Sequence, residues 1–181
     1  MIVVIGSPSA LSRDSVVRAG GLPSLVAIAA ASHGRTVQLV GRVGDDSAAD
    51  AVLQDLARHG VGHVAVLRDA AHPTPVDPPA DGSAADRFTP TAGLGLEPED
   101  VELALRYLTD FAVVAVVGDA GVVLPVVERA ASWGAAALVV VGASITDGLD
   151  AAGHLGPTTG ETIDVFAARA GERLAAIDAE A

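Results

Sequence analysis

Short apolar runs alternate along this chain with segments in which apolar residues recur every three or four positions. The runs cover residues 2–5, 36–43, 61–67, 111–117 and 136–141. Unbroken runs of this length are typical of parallel strands buried on both faces. The periodic segments between them are typical of amphipathic helices. The alternation predicts a three-layer α/β fold, with a mainly parallel sheet of about five strands and helices on both faces.

The periodic segments predict the helices. They cover residues 22–32, 47–59, 98–109, 122–132 and 161–179. Gly34, Gly60 and Gly134 follow three of these segments, as glycine commonly does at a helix end. Asp45 or Asp46 is predicted to cap the second helix. Three further segments lack periodicity and are predicted to be irregular, namely residues 10–19, 69–95 and 142–160.

Composition and charge narrow the function classes. Half of the 181 residues are hydrophobic and none is cysteine, so one sizeable core without disulfides is predicted over residues 1–181. Eleven cationic residues, all arginine, against 23 acidic ones give a formal charge of −12, which argues against nucleic acid and anionic membranes as partners. No apolar run is long enough to span a membrane, and no basic segment precedes the first run, so a cytoplasmic location is predicted.

Polar residues and glycines lie where ligands bind in such folds, beyond the carboxyl ends of the strands. Ser7 and Ser9 follow the first run, Gly41 lies near the end of the second, and Asp119 follows the fourth. Asp119 is the strongest of these candidates because it ends a buried strand. The histidines lack the spacing of metal ligands, so no metal site is predicted. The chain has no lysine, phosphate-binding loop or Gly-x-Ser-x-Gly elbow.

The most specific motif lies between residues 20 and 46. Gly20-Gly21 precedes an alanine-rich helix, and Gly41-Arg42-Val43-Gly44-Asp45-Asp46 ends the next strand. This layout resembles the N-terminal signature of the ribokinase-like (PfkB-type) carbohydrate and nucleoside kinases. His72-Pro73-Thr74 resembles the short Pro-Thr segment before the family's lid, and residues 116–119 resemble a strand end that carries a substrate-facing acid. The resemblance covers nearly the whole chain but only the first half to two-thirds of a full member, so it implies a single truncated ribokinase-like domain with a reduced lid.

The chain departs from the family where sugars are held. Ser9 and Leu11 occupy positions at which the family offers Asn and Asp to sugar hydroxyls, and Leu25 occupies the position of an Asn. Leucine can only pack, whereas those residues hydrogen-bond. Gly20 and Gly21 remain, and they serve either a ligand or simple close packing and a positive φ. In the second lid segment, prolines directly after Asp77 make regular strand pairing unexpected.

Two alignments are open for the segment before the last helix. In the first, Thr158-Thr159-Gly160-Glu161-Thr162-Ile163 resembles the family's Asn-x-x-Glu element, which helps to hold magnesium and phosphate, with Gly160 and Ile163 replacing its Asn and Glu. In the second, Thr159-Gly160 to Asp164 resembles the Gly-Ala-Gly-Asp element, which supplies an anion hole and the catalytic Asp. We favour the first because the second needs an insertion and a large deletion. Under the first, the chain stops before the catalytic base and the adenine pocket.

The resemblance and its departures together predict a pseudokinase. We expect a non-catalytic module that binds a small polar ligand or another protein, without cofactor or metal, because phosphoryl transfer needs positioning groups that are replaced here. The candidate ligand contacts are Ser7, Ser9, Gly20, Gly21, Gly41, Asp119, Thr158 and Thr159. The alternative is a sugar or nucleoside kinase with residual or shared-site activity, which would use ATP and magnesium.

A homodimer is the predicted assembly. A truncated family member is expected to leave a sheet edge or an apolar helix face uncovered, and such surfaces recruit a second copy. The contact is therefore predicted at a sheet edge or at the C-terminal helix. That helix carries an apolar stripe of Ile163, Phe166, Leu174 and Ile177, which could instead cover the surface within one chain.

Overall fold

A six-stranded sheet forms the middle of the structure. The computed structural model describes residues 1–13, 16–77, 93–118, 121–142, 153–158 and 161–181. The strands lie in the spatial order β5 (Val61–Asp69), β4 (Val37–Gly44), β1 (Ile2–Ile5), β7 (Val113–Val117), β8 (Ala137–Val141) and β9 (Gly153–Leu155). Each pairing is parallel. The predicted α/β class is confirmed, with one strand more than expected.

Helices cover both faces of this sheet. One face carries α1 (Gly21–Ser32), α2 (Ser47–Arg58) and α5 (Ile163–Glu180), and the other carries α3 (Pro98–Tyr107) and α4 (Leu124–Gly134). Successive side chains of a strand point to opposite faces, so Ile2 and Val4 enter the first core while Val3 and Ile5 enter the second. The three-layer arrangement is confirmed.

A small second sheet corrects two of our predictions. Residues 10–19 were expected to be irregular, but β2 (Ser9–Arg13) and β3 (Val16–Gly20) form an antiparallel hairpin. Pairing after Thr74 was also unexpected, but β6 (Val76–Asp77) lies parallel to β2. The prolines did not prevent this because they come after the paired residues in the sequence. The hairpin packs on α2, where the Ala19 amide donates to Asp55 at 2.9 Å.

The segment 142–160 was also predicted to be irregular, and this is wrong for three of its residues. Strand β9 pairs with β8, and the amide of Gly142 donates to the carbonyl of Leu155 at 3.0 Å. The strand is too short to give a periodic signal among its glycine and polar neighbours. Asp119 and Thr159, two of the candidate ligand contacts, lie outside the described residues.

Helix α5 runs along α1 in the same direction. Near its end, Asp178 accepts from the amino group of Met1 at 2.9 Å and from Arg35 Nε at 2.6 Å, and both donors lie at the amino end of the sheet. A helix of 18 residues is about 27 Å long, so α5 begins at the opposite, carboxyl edge. Close approach of the two helices depends on Gly171, because a Cβ there would lie 2.5 Å from Ala29.

The apolar stripe of α5 is used inside the chain. Phe166 and Leu174 are completely buried in the core shared with α1. A dimer contact on that stripe would compete with this packing, so the sheet edge is the better surface for the homodimer, which stays a prediction. None of the described helices is both long and apolar enough to cross a bilayer.

Candidate functional site

The carboxyl ends of β1, β4 and β7 meet the first turn of α1 at one edge of the sheet. This edge is where parallel α/β folds bind ligands. Here it contains most of the described candidates, and they fall into two groups. Ser9, Gly20 and Gly21 surround a carboxylate from β6, whereas Ser7 and Gly41 surround the end of β1.

The first group is centred on Asp77, which sequence reasoning did not select. Its Oδ2 accepts from Ser9 Oγ at 2.7 Å and from the Gly21 amide at 2.9 Å. The Gly pair makes this approach possible: a Cβ at Gly20 would lie 2.5 Å from Oδ2. A Cβ at Gly21, where φ is +74°, would lie 2.9 Å from Ser9 Oγ. The glycines therefore let a carboxylate reach the start of a helix.

Asp77 takes the place of an N-cap side chain for α1. The capping residue is Gly20, which offers no side-chain acceptor, and the carboxylate lies where the helix dipole favours negative charge. Only half of its hydrogen-bonding capacity is used. Its Oδ1 is buried and has no hydrogen-bond partner within the described part of the chain, and the same is true of Ser24 Oγ in α1. An unpaired buried carboxylate oxygen is a strong acceptor for a ligand donor.

The second group is tied into the protein. The Ser7 hydroxyl accepts from the Arg42 amide at 3.0 Å and donates to the carbonyl of Leu94. A Cβ at Gly41 would lie 2.8 Å from the carbonyl oxygen of Gly6, so this glycine permits close packing. Protein contacts account for both residues, and a ligand role for them remains a prediction.

A cavity of about 280 Å³ adjoins this second group. Its walls are the ends of β1 and β7, the first turn of α1, residues 93–96 and the turn at residues 122–123. Apart from the Ser7 hydroxyl, every side chain that lines it in the described ranges is apolar or absent, as in glycine.

The motif Gly41–Asp46 helps to position Asp77, because its last residue holds the segment that leads to Asp77. Asp46 caps α2 by accepting from the Ala49 amide at 2.8 Å, which confirms one of the two predicted caps. It also accepts from the Thr74 amide at 2.7 Å and from Thr74 Oγ1 at 2.8 Å. These bonds, led by the one from the Thr74 amide, hold the pKa of Asp46 below its ordinary value. Thr74 is thereby fixed three residues before Asp77.

Thr158 belongs to a separate network before α5. Its amide and hydroxyl donate to Glu161 Oε2 at 2.8 and 3.1 Å. Arg169 donates to both oxygens of Glu161, at 3.0 and 2.8 Å, and to the carbonyl of Gly156. The hydrogen bonds from Arg169, followed by that from the Thr158 amide, lower the pKa of Glu161 to about 2. This carboxylate is fully occupied by the protein.

The described residues include no group of three or more side chains with metal-ligand chemistry, and the oxygens of Glu161 already accept hydrogen bonds from Arg169. The helix that begins beside this segment carries Asp164 in its first turn, exposed at the carboxyl edge.

Comparisons with known proteins agree with this architecture. A family model described as pfkB family carbohydrate kinase matches residues 5–79. No curated protein sequence matches the chain. The crystal structure titled Sa239 is similar with a TM-score of 0.64 at 17% identity, covering 80% of this chain and 55% of that one.

Two solved kinases show the same relationship. Fructokinase from Xylella fastidiosa with bound ATP gives a TM-score of 0.59 at 18% identity, covering 82% of this chain and 55% of that one. Aminoimidazole riboside kinase from Salmonella enterica, complexed with aminoimidazole riboside and an ATP analogue, gives 0.56 at 18% identity, covering 77% and 49%. The chain thus spans about half the length of these structures. Residues 5–79 thus match the family model, and the described fold is similar to the folds of these solved structures.

Proposed function

We propose that this chain is a small-molecule-binding module of the ribokinase fold that does not itself transfer phosphate. The observation that carries the proposal is the half-satisfied carboxylate of Asp77 at the start of α1. The ligand class is a neutral polyhydroxylated molecule, such as a sugar or a nucleoside, because a hydroxyl donates to Oδ1 without bringing a second charge into the site.

Strand register supports this role. Asp77 pairs with Leu11, one of the positions at which the resemblance expects an acid that contacts sugar hydroxyls. Strand β6 therefore supplies a carboxylate beside Leu11, the position at which β2 lacks one. Ser9 and the Gly21 amide fix Oδ2, so the carboxylate is held in place before a ligand arrives.

Substitutions at the family's other contact positions argue against phosphoryl transfer. Leu25 offers no hydrogen bond, Glu161 is committed to Arg169, and the chain has no lysine to neutralise phosphate charge. Transfer depends on positioning and charge neutralisation, which these residues do not supply.

Binding to Asp77 is tested by calorimetric titration with ribose, fructose, fructose 6-phosphate and a set of nucleosides. We expect the wild-type protein to bind at least one of them. Asp77→Asn should weaken that binding about tenfold or more, because the amide presents a donor where Oδ1 accepts. Glu99→Gln, an exposed change on α3, is the matched control and should bind like the wild type. Equal affinity of Asp77→Asn and wild type, or no binding across the set, would refute the proposal.

A second candidate is a sugar or nucleoside phosphotransferase. The direction of α5 favours it, because the helix begins at the carboxyl edge with Asp164 in its first turn, as the second alignment requires. We expect no ADP to form from ATP and magnesium with any member of the same set. Turnover by the wild type that Asp164→Asn abolishes would establish this candidate instead.

We also propose a homodimer through the β5 edge of the large sheet. This strand has nine residues, no neighbour on its outer side among the described strands, and Val64 with 82% of its surface exposed. Open edges of this length pair readily with another copy. Light scattering should give twice the chain mass, and Val64→Lys should halve it; a monomeric wild type at high micromolar concentration would exclude this assembly.

A further inference from the structure

We propose that the cavity between β1, β7 and α1 is a binding site for a small neutral ring compound, an aromatic or heteroaromatic molecule of one or two rings. Its volume is about 280 Å³. An engineered apolar protein cavity of about 150 Å³ already binds benzene. The cavity therefore has room for one or two rings.

The residues that line the cavity determine which kind of ligand can bind there. The walls are built from aliphatic side chains and glycines, including Ile5, Leu22, Val116 and Val123. The hydroxyl of Ser7 is the one side-chain polar group on the wall in the described ranges, and its hydrogen bonds go to Arg42 and Leu94. A charged or polyhydroxylated guest would lose its hydration here without new partners, which is costly. A flat apolar guest gains dispersion contacts with these walls.

Residues 93–96 form a roof that keeps the cavity in shape. Ser7 donates to the carbonyl of Leu94, and a Cβ at Gly93 would lie 2.5 Å from the Ser7 carbonyl oxygen. The roof therefore packs directly against Ser7. The roof includes Leu94 and Leu96, which place further apolar groups on the cavity. A preformed, roofed cavity spares the guest the cost of ordering its own site.

Access lies on the side of Val122. This residue lines the cavity although 69% of its surface is exposed, so it stands at the rim. A larger side chain at this position narrows the entrance without entering the buried core. Val165 on α5 is equally apolar and 58% exposed, and it does not line the cavity, which makes it a matched control position.

Titration of the protein with benzene and with indole, followed by methyl NMR, tests the proposal. We expect saturable shifts of the methyl signals of Leu22 and Val116 and none at Val165. Val122→Trp should weaken binding about tenfold or more, whereas Val165→Trp should leave it unchanged. Val122→Phe carries the same test if the tryptophan variant does not fold.

The result is independent of the polar site. Asp77→Asn should bind both rings as the wild type does, because Asp77 does not line the cavity. Absence of saturable shifts up to the solubility of both rings would overturn the proposal. Equal affinities of the Val122 and Val165 variants would overturn it as well, since binding would then occur elsewhere.

Discussion

Asp46 and Asp77 are both carboxylates at helix starts, and they differ in how completely the protein uses them. Asp46 at α2 accepts from the Ala49 amide, the Thr74 amide and the Thr74 hydroxyl, so both of its oxygens are engaged. Asp77 at α1 receives bonds on Oδ2, while Oδ1 is buried and unpaired among the described residues. Protein interiors rarely leave such groups unsatisfied, and this difference is the reason why we propose Asp77 rather than Asp46 as the ligand contact.

The largest expected effect is on stability at Asp46. Asp46→Ala removes a helix cap and leaves the amide and hydroxyl of Thr74 without their acceptor, so the free energy of unfolding should fall by about 2 kcal/mol. Chemical denaturation measures it. A loss no larger than that of Asp77→Ala would contradict the distinction between the two carboxylates.

A smaller loss is expected at Asp77. Asp77→Ala should lower the free energy of unfolding by about 1 kcal/mol, because the bonds to Ser9 and Gly21 are partly offset by relief of the unpaired Oδ1. The same denaturation series compares this variant with Asp46→Ala. Destabilisation beyond that of Asp46→Ala would assign Asp77 a purely structural role.

The smallest expected effect is the pH dependence contributed by Glu161. Its pKa is about 2 in the folded protein, below the ordinary 4.5, chiefly through hydrogen bonds from Arg169. A carboxylate with a lowered folded-state pKa stabilises the protein above its unfolded-state pKa, and this contribution is lost as the pH falls toward 2. The stability difference between wild type and Glu161→Gln should therefore be constant above pH 5 and shrink between pH 4.5 and 2. A difference that does not change with pH would mean that Arg169 does not act on this group.

The sequence was sufficient for the helices and for five of the six strands of the large sheet, because each of these elements carries its own period, whereas β9 does not. Predicted and observed bounds differ by about two residues, as at α4, which is expected where helix ends fray. The small sheet could not be read in this way. Val16 and Val76 are exposed and the strands are short, so no apolar alternation marks them.

The candidate site was only partly accessible to sequence reasoning. Ser9, Gly20 and Gly21 could be selected from their place after the first strand and before a helix. Asp77 could not, because its partners Ser9 and Gly21 lie 68 and 56 residues away along the chain. The nearest signal in the sequence was the segment His72-Pro73-Thr74. Asp46 fixes this segment by accepting hydrogen bonds from Thr74.

The pairing of Asp77 with Gly21 also governs how the small sheet is attached. Among the described residues, strand β6 pairs with β2 at two positions, and the bonds of Asp77 to Ser9 and Gly21 add to this attachment. A short attachment of this kind opens locally far more often than the whole protein unfolds. Each opening frees the Gly21 amide proton, and a ligand seated on Oδ1 would hold the carboxylate and its attachment closed. The hydrogen–deuterium exchange rate of the Gly21 amide would then fall as the ligand concentration rises. This one rate would report the fraction of the protein that has ligand bound.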